Sequence, residues 1–183
     1  MAGLEFNYYS PNGRFFTETY YHQSFSPDDG KDASSAAHYM GYSHPNIELN
    51  LGVTRIGADY NAETGFIPRT GIYSLFRPVT FTLNPKNERI SKVINSYGIG
   101  IEAEDIFNLK GERLDTEQLI SFFVEMQDRS SFYIGYYMGY TNLFFPFDPT
   151  NASDNPNPDL YQNVLELPVG IYRYQAPFIG FET

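Results

Sequence analysis

The chain has 183 residues, of which 19% are charged and 17% aromatic, with 16 Tyr, 16 Phe and no Trp. Its 12 Lys and Arg against 22 Asp and Glu give a net charge of −10, with no basic run, which argues against a nucleic-acid binder, whose affinity rests on clustered basic residues. It has no Cys, which excludes disulfides, thiolate metal sites and cysteine nucleophiles.

Read in chain order, apolar residues recur at every second position between turn signals. Residues 4–10 alternate, Pro11-Asn12-Gly13 supplies a tight turn, and 14–25 resume extended character. A polar loop spans 26–32. Residues 36–42 read as a third strand, His44-Pro45-Asn46 as a turn, and 47–56 as the clearest strand of the first half. Residues 57–70 are irregular, with Asp59 and Arg69 placed to pin the segment as an ion pair. The strand at 72–83 is interrupted at Pro78, which suits an edge or a bend. Residues 84–91 read as a charged turn and 94–104 as a strand, followed by a turn at 108–112. Residues 114–126 mix helix formers (Glu117, Gln118, Leu119) with the period-two set Ile120, Phe122, Val124 and Met126, and the period predicts a strand. A turn at 128–130 leads into the strand 132–144, and a long loop at 148–159 precedes a last strand at 170–178.

About nine strands in hairpin order predict one all-β domain over 1–183, an antiparallel up-and-down meander. Alternation puts one set of side chains on each face of a strand. Leu49, Leu51, Ile99, Ile101, Ile134 and Met138 fall in the apolar set, and Glu48, Asn50, Glu102 and Glu104 in the other. A lipid-embedded barrel and a soluble sandwich both use this pattern and differ in which face is wet. The charged fraction lies below the ~25% usual for soluble domains, and Tyr and Phe suit membrane–water interfaces. These favour an outer-membrane-type β-barrel, or part of one. No stretch approaches the ~20 apolar residues of a membrane helix, but barrel strands need only about ten alternating ones. The start, Met-Ala-Gly followed directly by a strand pattern, carries no export signal. An outer-membrane chain with such a start reads as a fragment of a longer protein.

Four stretches carry a family resemblance: residues 56–70 read with Tyr73, residues 108–112 with Thr116, residues 143–148, and residues 167–174. In order and spacing they resemble the C-terminal β-barrel region of Gram-negative outer-membrane proteins that carry an N-terminal family-9-like carbohydrate-binding domain. The resemblance spans most of the chain. It implies an outer-membrane location, a lipid bilayer as partner, and a place in polysaccharide or oligosaccharide handling, by transport or as a surface scaffold. It supplies no catalytic residue. An isolated part of a barrel has open strand edges, so either the strands close on themselves or partner chains complete the wall.

No catalytic or cofactor-binding motif offers itself. Asp148, Asn151, Asp154, Asn155 and Asp159 are the densest set of hard oxygen ligands and could surround Ca²⁺, although three prolines suit a stiff solvated loop. His22, His38 and His44 lie in different segments without metal-ligand spacing. Tyr133, Tyr137, Tyr172 and Tyr174 could stack on sugar rings, or equally fill a lumen or an interfacial belt. Glu102, Glu104 and Asp105 form an acidic run, and the first two share a face about 7 Å apart, within the separation that glycoside hydrolysis uses. The expected function is therefore a non-enzymatic outer-membrane barrel protein. The alternatives are a soluble β-sandwich carbohydrate-binding module and, third, a glycosidase-like enzyme.

Overall fold

The computed structural model describes residues 1–25, 30–61, 69–144, 146 and 167–183. The loop at 148–159, with the candidate calcium ligands, falls outside them. The strands are β1 (Ala2–Tyr9), β2 (Phe15–Gln23), β3 (Ser34–His44), β4 (Ile47–Ile56), β5 (Ile72–Phe76), β6 (Val79–Leu83), β7 (Ile94–Asn108), β8 (Arg113–Met126), β9 (Ser131–Leu143) and β10 (Gly170–Glu182). One helical turn, α1 (Glu88–Ser91), stands between β6 and β7, capped by Asn87, whose Oδ1 accepts the Arg89 N–H at 2.9 Å. The charged turn expected there thus contains a short helix.

All ten strands form one antiparallel sheet, in the order β1-β2-β3-β4-β5-β7-β8-β9-β10, with β6 also between β4 and β7. β5 and β6 are the two halves of the strand that Pro78 interrupts. That strand lies in the sheet interior, so Pro78 marks a bend and not an edge. Hydrogen bonds to the neighbouring strands continue on both sides of the missing donor: Pro78 O accepts from Asn50 N–H at 3.0 Å, and Arg77 N–H donates to Ala103 O at 2.8 Å. Residues 114–126 are strand, as the period required.

The turns follow from their residues. Gly13 takes φ +67° and Gly111 φ +84°, a region that costs glycine nothing. Asn108 Oδ1 accepts from the N–H groups of Lys110 and Glu112, both at 2.9 Å, an Asx-type closure of the β7–β8 hairpin. Connections at one end of the sheet cover 10–14, 45–46, 84–93 and 127–130. Those at the other, the loop end, cover 24–33, 57–71, 109–112 and 144–169.

Cross-strand partners share a face, so the registers sort every strand residue. One uninterrupted row runs Phe15, Tyr42, Leu49, Val79, Ile101, Ile120, Tyr136 and Pro177, each directly opposite the next. Beside it run Ile47, Phe81, Ile99, Phe122, Ile134 and Ile179. Every exposed strand-borne Leu, Ile and Val lies on this face, from Leu49 at 37% to Leu4 at 79% exposure. No described element covers it.

The described residues therefore form no sandwich core. Among the described residues there is no second sheet, and no large side chain is fully buried. The surface of 12863 Å² exceeds the roughly 9,000 Å² that a compact monomer of this mass exposes. Each uncovered Leu, Ile or Phe forgoes about 1.5–3 kcal/mol of burial.

Candidate functional site

The opposite face holds the polar chemistry. Every glutamate within a strand lies on it: Glu5, Glu18, Glu48, Glu102, Glu104, Glu117, Glu125 and Glu182. The strand-borne arginines Arg55, Arg113 and Arg173 all lie on the apolar face, at its loop end. The strand-borne glutamates and arginines are thus sorted by face.

The sequence-derived acidic run divides. Glu102 and Glu104 point to the polar face, where Ser74 Oγ donates to Glu104 at 2.6 Å. Asp105 points the other way and is buried, 7% exposed. Thr116 Oγ donates to it at 2.6 Å, the Arg77 guanidinium pairs with it, and Arg113 lies 4.0 Å away. That geometry pins the bend beside Pro78 and occupies the carboxylate, so Asp105 is structural. Glu117, which the sequence reading did not single out, stands directly opposite Glu104. A cleft of about 170 Å³ runs between Phe76, Glu102, Glu104, Glu117, Leu119 and Tyr137.

The four tyrosines come together on the polar face. Tyr133 and Tyr137 of β9 and Tyr172 and Tyr174 of β10 share it, with the Tyr137 and Tyr174 rings 5.8 Å apart at 30°. Tyr172 O–H donates to Pro168 O at 2.8 Å, and Tyr133 O–H to Glu182 at 3.4 Å. Three of these rings also do packing work. A Cβ at Gly139 would lie 2.1 Å from the Tyr174 ring, and one at Gly180 would lie 2.1 Å from Tyr133. Tyr137 completes the set by packing at a tilt beside Tyr174. Gly41 with Phe16, Gly52 with Tyr39, Gly98 with Phe123 and Gly135 with Phe178 repeat the arrangement. In all six, ring and glycine are direct cross-strand partners, and the flat ring occupies the space a side chain would take.

The Asp59–Arg69 pair does not form. Arg69 pairs with Asp115 of β8, while Asp59 Oδ2 accepts from Asp32 N–H at 3.0 Å. Asp32 is the centre of a clasp between the 24–33 and 57–71 connections. Its carboxylate takes Arg55 Nη2 at 2.6 Å and Ala58 N–H at 3.2 Å. Those bonds, the Arg55 one first, hold the Asp32 carboxyl below the usual carboxylate range. Gly57 is required at this point, since a Cβ there would lie 2.0 Å from Asp32 O.

No three His, Asp or Glu side chains converge as metal ligands among the described residues, and Asp148, Asn151, Asp154, Asn155 and Asp159 lie outside them. No described helix is long and apolar enough to cross a membrane, which bears only on helices. Compared with protein families, curated proteins and solved structures, the chain matches none.

Proposed function

We propose that the chain is a non-enzymatic wall of an outer-membrane-type β-barrel, with the apolar face against lipid and the acidic, tyrosine-rich face lining a wet interior. The observation that carries it is the apolar face: one continuous row crosses eight strands and a second crosses six, with no described residue over them. In water such a surface is far larger than the few hundred Å² that soluble monomers expose. In a bilayer it needs no second layer, the antiparallel ladders satisfy the backbone of the strands between β1 and β10, and closure or neighbouring wall would have to satisfy those two edges. β7, β8, β9 and β10 span 15, 14, 13 and 13 residues, above the roughly 9–11 that a tilted strand needs to cross. Arg55, Arg113 and Arg173 sit at the loop-end border of that face, where headgroups would meet them.

The interior role is transport or surface scaffolding in the outer membrane. Face-sorted glutamates suit a cation-tolerant lumen, and the resemblance in residues 56–70 and 167–174 points to polysaccharide handling. Tyr133, Tyr137, Tyr172 and Tyr174 are the sugar-stacking candidates.

The test uses the absence of Cys. Ile101→Cys and Ile134→Cys, labelled with a polarity-sensitive dye in vesicles, should shift to the blue and be quenched by doxyl lipids. Ser121→Cys and Thr80→Cys should report water. Equal, unquenched emission from both faces would remove the lipid assignment.

A further inference from the structure

Among the described residues β1 and β10 are the two free edges of the sheet; they are not equivalent, and symmetry links that difference to association. Nine strand positions joined by antiparallel pairs leave β1 and β10 running in the same direction. A second copy whose β10 joins β1 with apolar sides aligned must therefore pair in parallel. A copy that pairs antiparallel with apolar sides aligned is related by a two-fold axis normal to the sheet and joins like edge to like edge. Antiparallel pairing is the more stable per residue, which leaves β1 with β1 or β10 with β10.

Backbone direction separates these. Ser10 N–H donates to Phe15 O, so by alternation the bonded pairs of β1 and β2 are Leu4–Tyr21, Phe6–Thr19 and Tyr8–Thr17. Gly3, Glu5, Asn7 and Tyr9 then turn both N–H and C=O to the open edge. On the other side, Met126 N–H donates to Ser130 O. The same alternation, carried through β9, turns the backbone of Pro177 outward. Proline has no N–H, so the β10 edge lacks a donor near its middle. β1 contains no Pro, no Lys and no register shift, the devices that guard an edge.

The register is selective too. Bonded pairs on the open side join odd residues to odd. Setting Phe6 opposite the second copy's Phe6 puts Glu5 against Asn7, Leu4 against Tyr8 and Gly3 against Tyr9. Sliding by two residues one way sets Glu5 against Glu5, a like-charge opposition. Sliding the other way shortens the paired stretch.

We propose that two copies join by antiparallel pairing of β1, with Phe6 facing Phe6 on the two-fold axis and one apolar face continued across both. Copies standing the same way up in one bilayer cannot make this contact. The pairing thus belongs to the chain in water or detergent, and it holds whatever covers the apolar face.

Site-directed cross-linking tests it. Non-bonded antiparallel partners have Cα atoms about 4.5 Å apart, within disulfide reach. Phe6→Cys in detergent, oxidised with copper phenanthroline and air, should run as a covalent dimer. A mixture of Leu4→Cys and Tyr8→Cys chains should cross-link where neither does alone, and this decides the matter if Phe6→Cys does not fold. Asn7→Pro removes an outward donor while leaving the β1–β2 bonds, and should weaken dimerisation at least tenfold by sedimentation. A monomeric Phe6→Cys chain with unchanged circular dichroism would overturn the proposal. So would a mixed disulfide between Phe6→Cys and Ile179→Cys, which would assign the contact to β1 and β10.

Discussion

Glu104 of β7 and Glu117 of β8 stand directly opposite each other on the polar face, with Glu102 and Asp115 next along the same two strands. Arg69 neutralises Asp115 and Ser74 donates to Glu104. Among the described residues neither Glu102 nor Glu117 pairs with a cation. Like charges directly opposite on a sheet are unfavourable by ~0.2–1 kcal/mol. The strip is therefore tolerated at a cost to stability, which is what a surface kept for an aqueous, cation-facing role would show.

Glu117→Gln should raise stability by up to ~1 kcal/mol in urea unfolding at low salt. The gain should shrink at about 1 M salt, where the Debye length is roughly 3 Å. A neutral or destabilising substitution would mean that the two carboxylates do not repel, and that an unrecognised partner holds them.

The Asp32 clasp makes the loop end sensitive to acid. Its carboxyl titrates below its usual range because Arg55 and the Ala58 N–H favour the charged form. A depressed folded value gives stability that is complete above the unfolded value of about 3.9 and is lost as pH falls through the folded one. Protection of the Ala58 and Asp59 amides, corrected for intrinsic exchange, should be constant from neutral pH to about 5 and collapse below about 4. Asp32→Asn should lower that protection at neutral pH and flatten its acid dependence. An unchanged acid collapse in the variant would place the switch elsewhere.

Much of this sheet was legible because period two and the turn residues act locally. Pro11-Asn12-Gly13, Asn108-Leu109-Lys110-Gly111 and Pro45-Asn46 close hairpins by their own backbone preferences, and Ile120 to Met126 outvoted the helix formers before them. What was not legible depends on partners remote in sequence. Arg69 chose Asp115, 46 residues away, over Asp59, because β8 brings that carboxylate to the 57–71 connection. Asp59 was already engaged by Asp32 N–H. The separation of Asp105 from Glu102 and Glu104 was implicit in alternation, but its burial under Arg77 and Thr116 follows from the bend at Pro78. The ring-over-glycine pairs were equally hidden, since register decides which aromatic faces which glycine.

Those pairs can be tested by contrasting two glycines. At Gly139 the obstacle to a Cβ is the Tyr174 ring, whereas at Gly98 it is Phe81 O at 2.0 Å. A ring can swing away and a backbone carbonyl cannot. Gly139→Ala should cost about 1–3 kcal/mol, and combining it with Tyr174→Ala should recover part of that, a coupling visible in a double-mutant cycle. Gly98→Ala should cost more, and Phe123→Ala should not rescue it. Additive costs at Gly139 and Tyr174 would show that the ring does not fill the glycine's space.

The assignment of the apolar face rests on what surrounds Ile134, and one charged substitution distinguishes the environments. Ile134 is 47% exposed and lies in a row with Phe122 and Ile179 on its two neighbours, within the apolar band and away from the arginines at its loop end. If water covered it, Ile134→Arg would be an ordinary surface change worth within about ±0.5 kcal/mol. Against hydrocarbon near the bilayer midplane, the same change costs ~2–4 kcal/mol, falling toward the interfaces. Ser121→Arg, half-buried on the opposite face of β8, controls for the bulk and charge of arginine and should cost less if that face is wet. Reversible urea unfolding in lipid vesicles should therefore separate the two variants by at least about 1.5 kcal/mol. Moving the arginine to Arg173's neighbour Tyr140, at the loop-end border, should reduce the penalty again. Equal costs at Ile134 and Ser121 would mean that no lipid lies against this face.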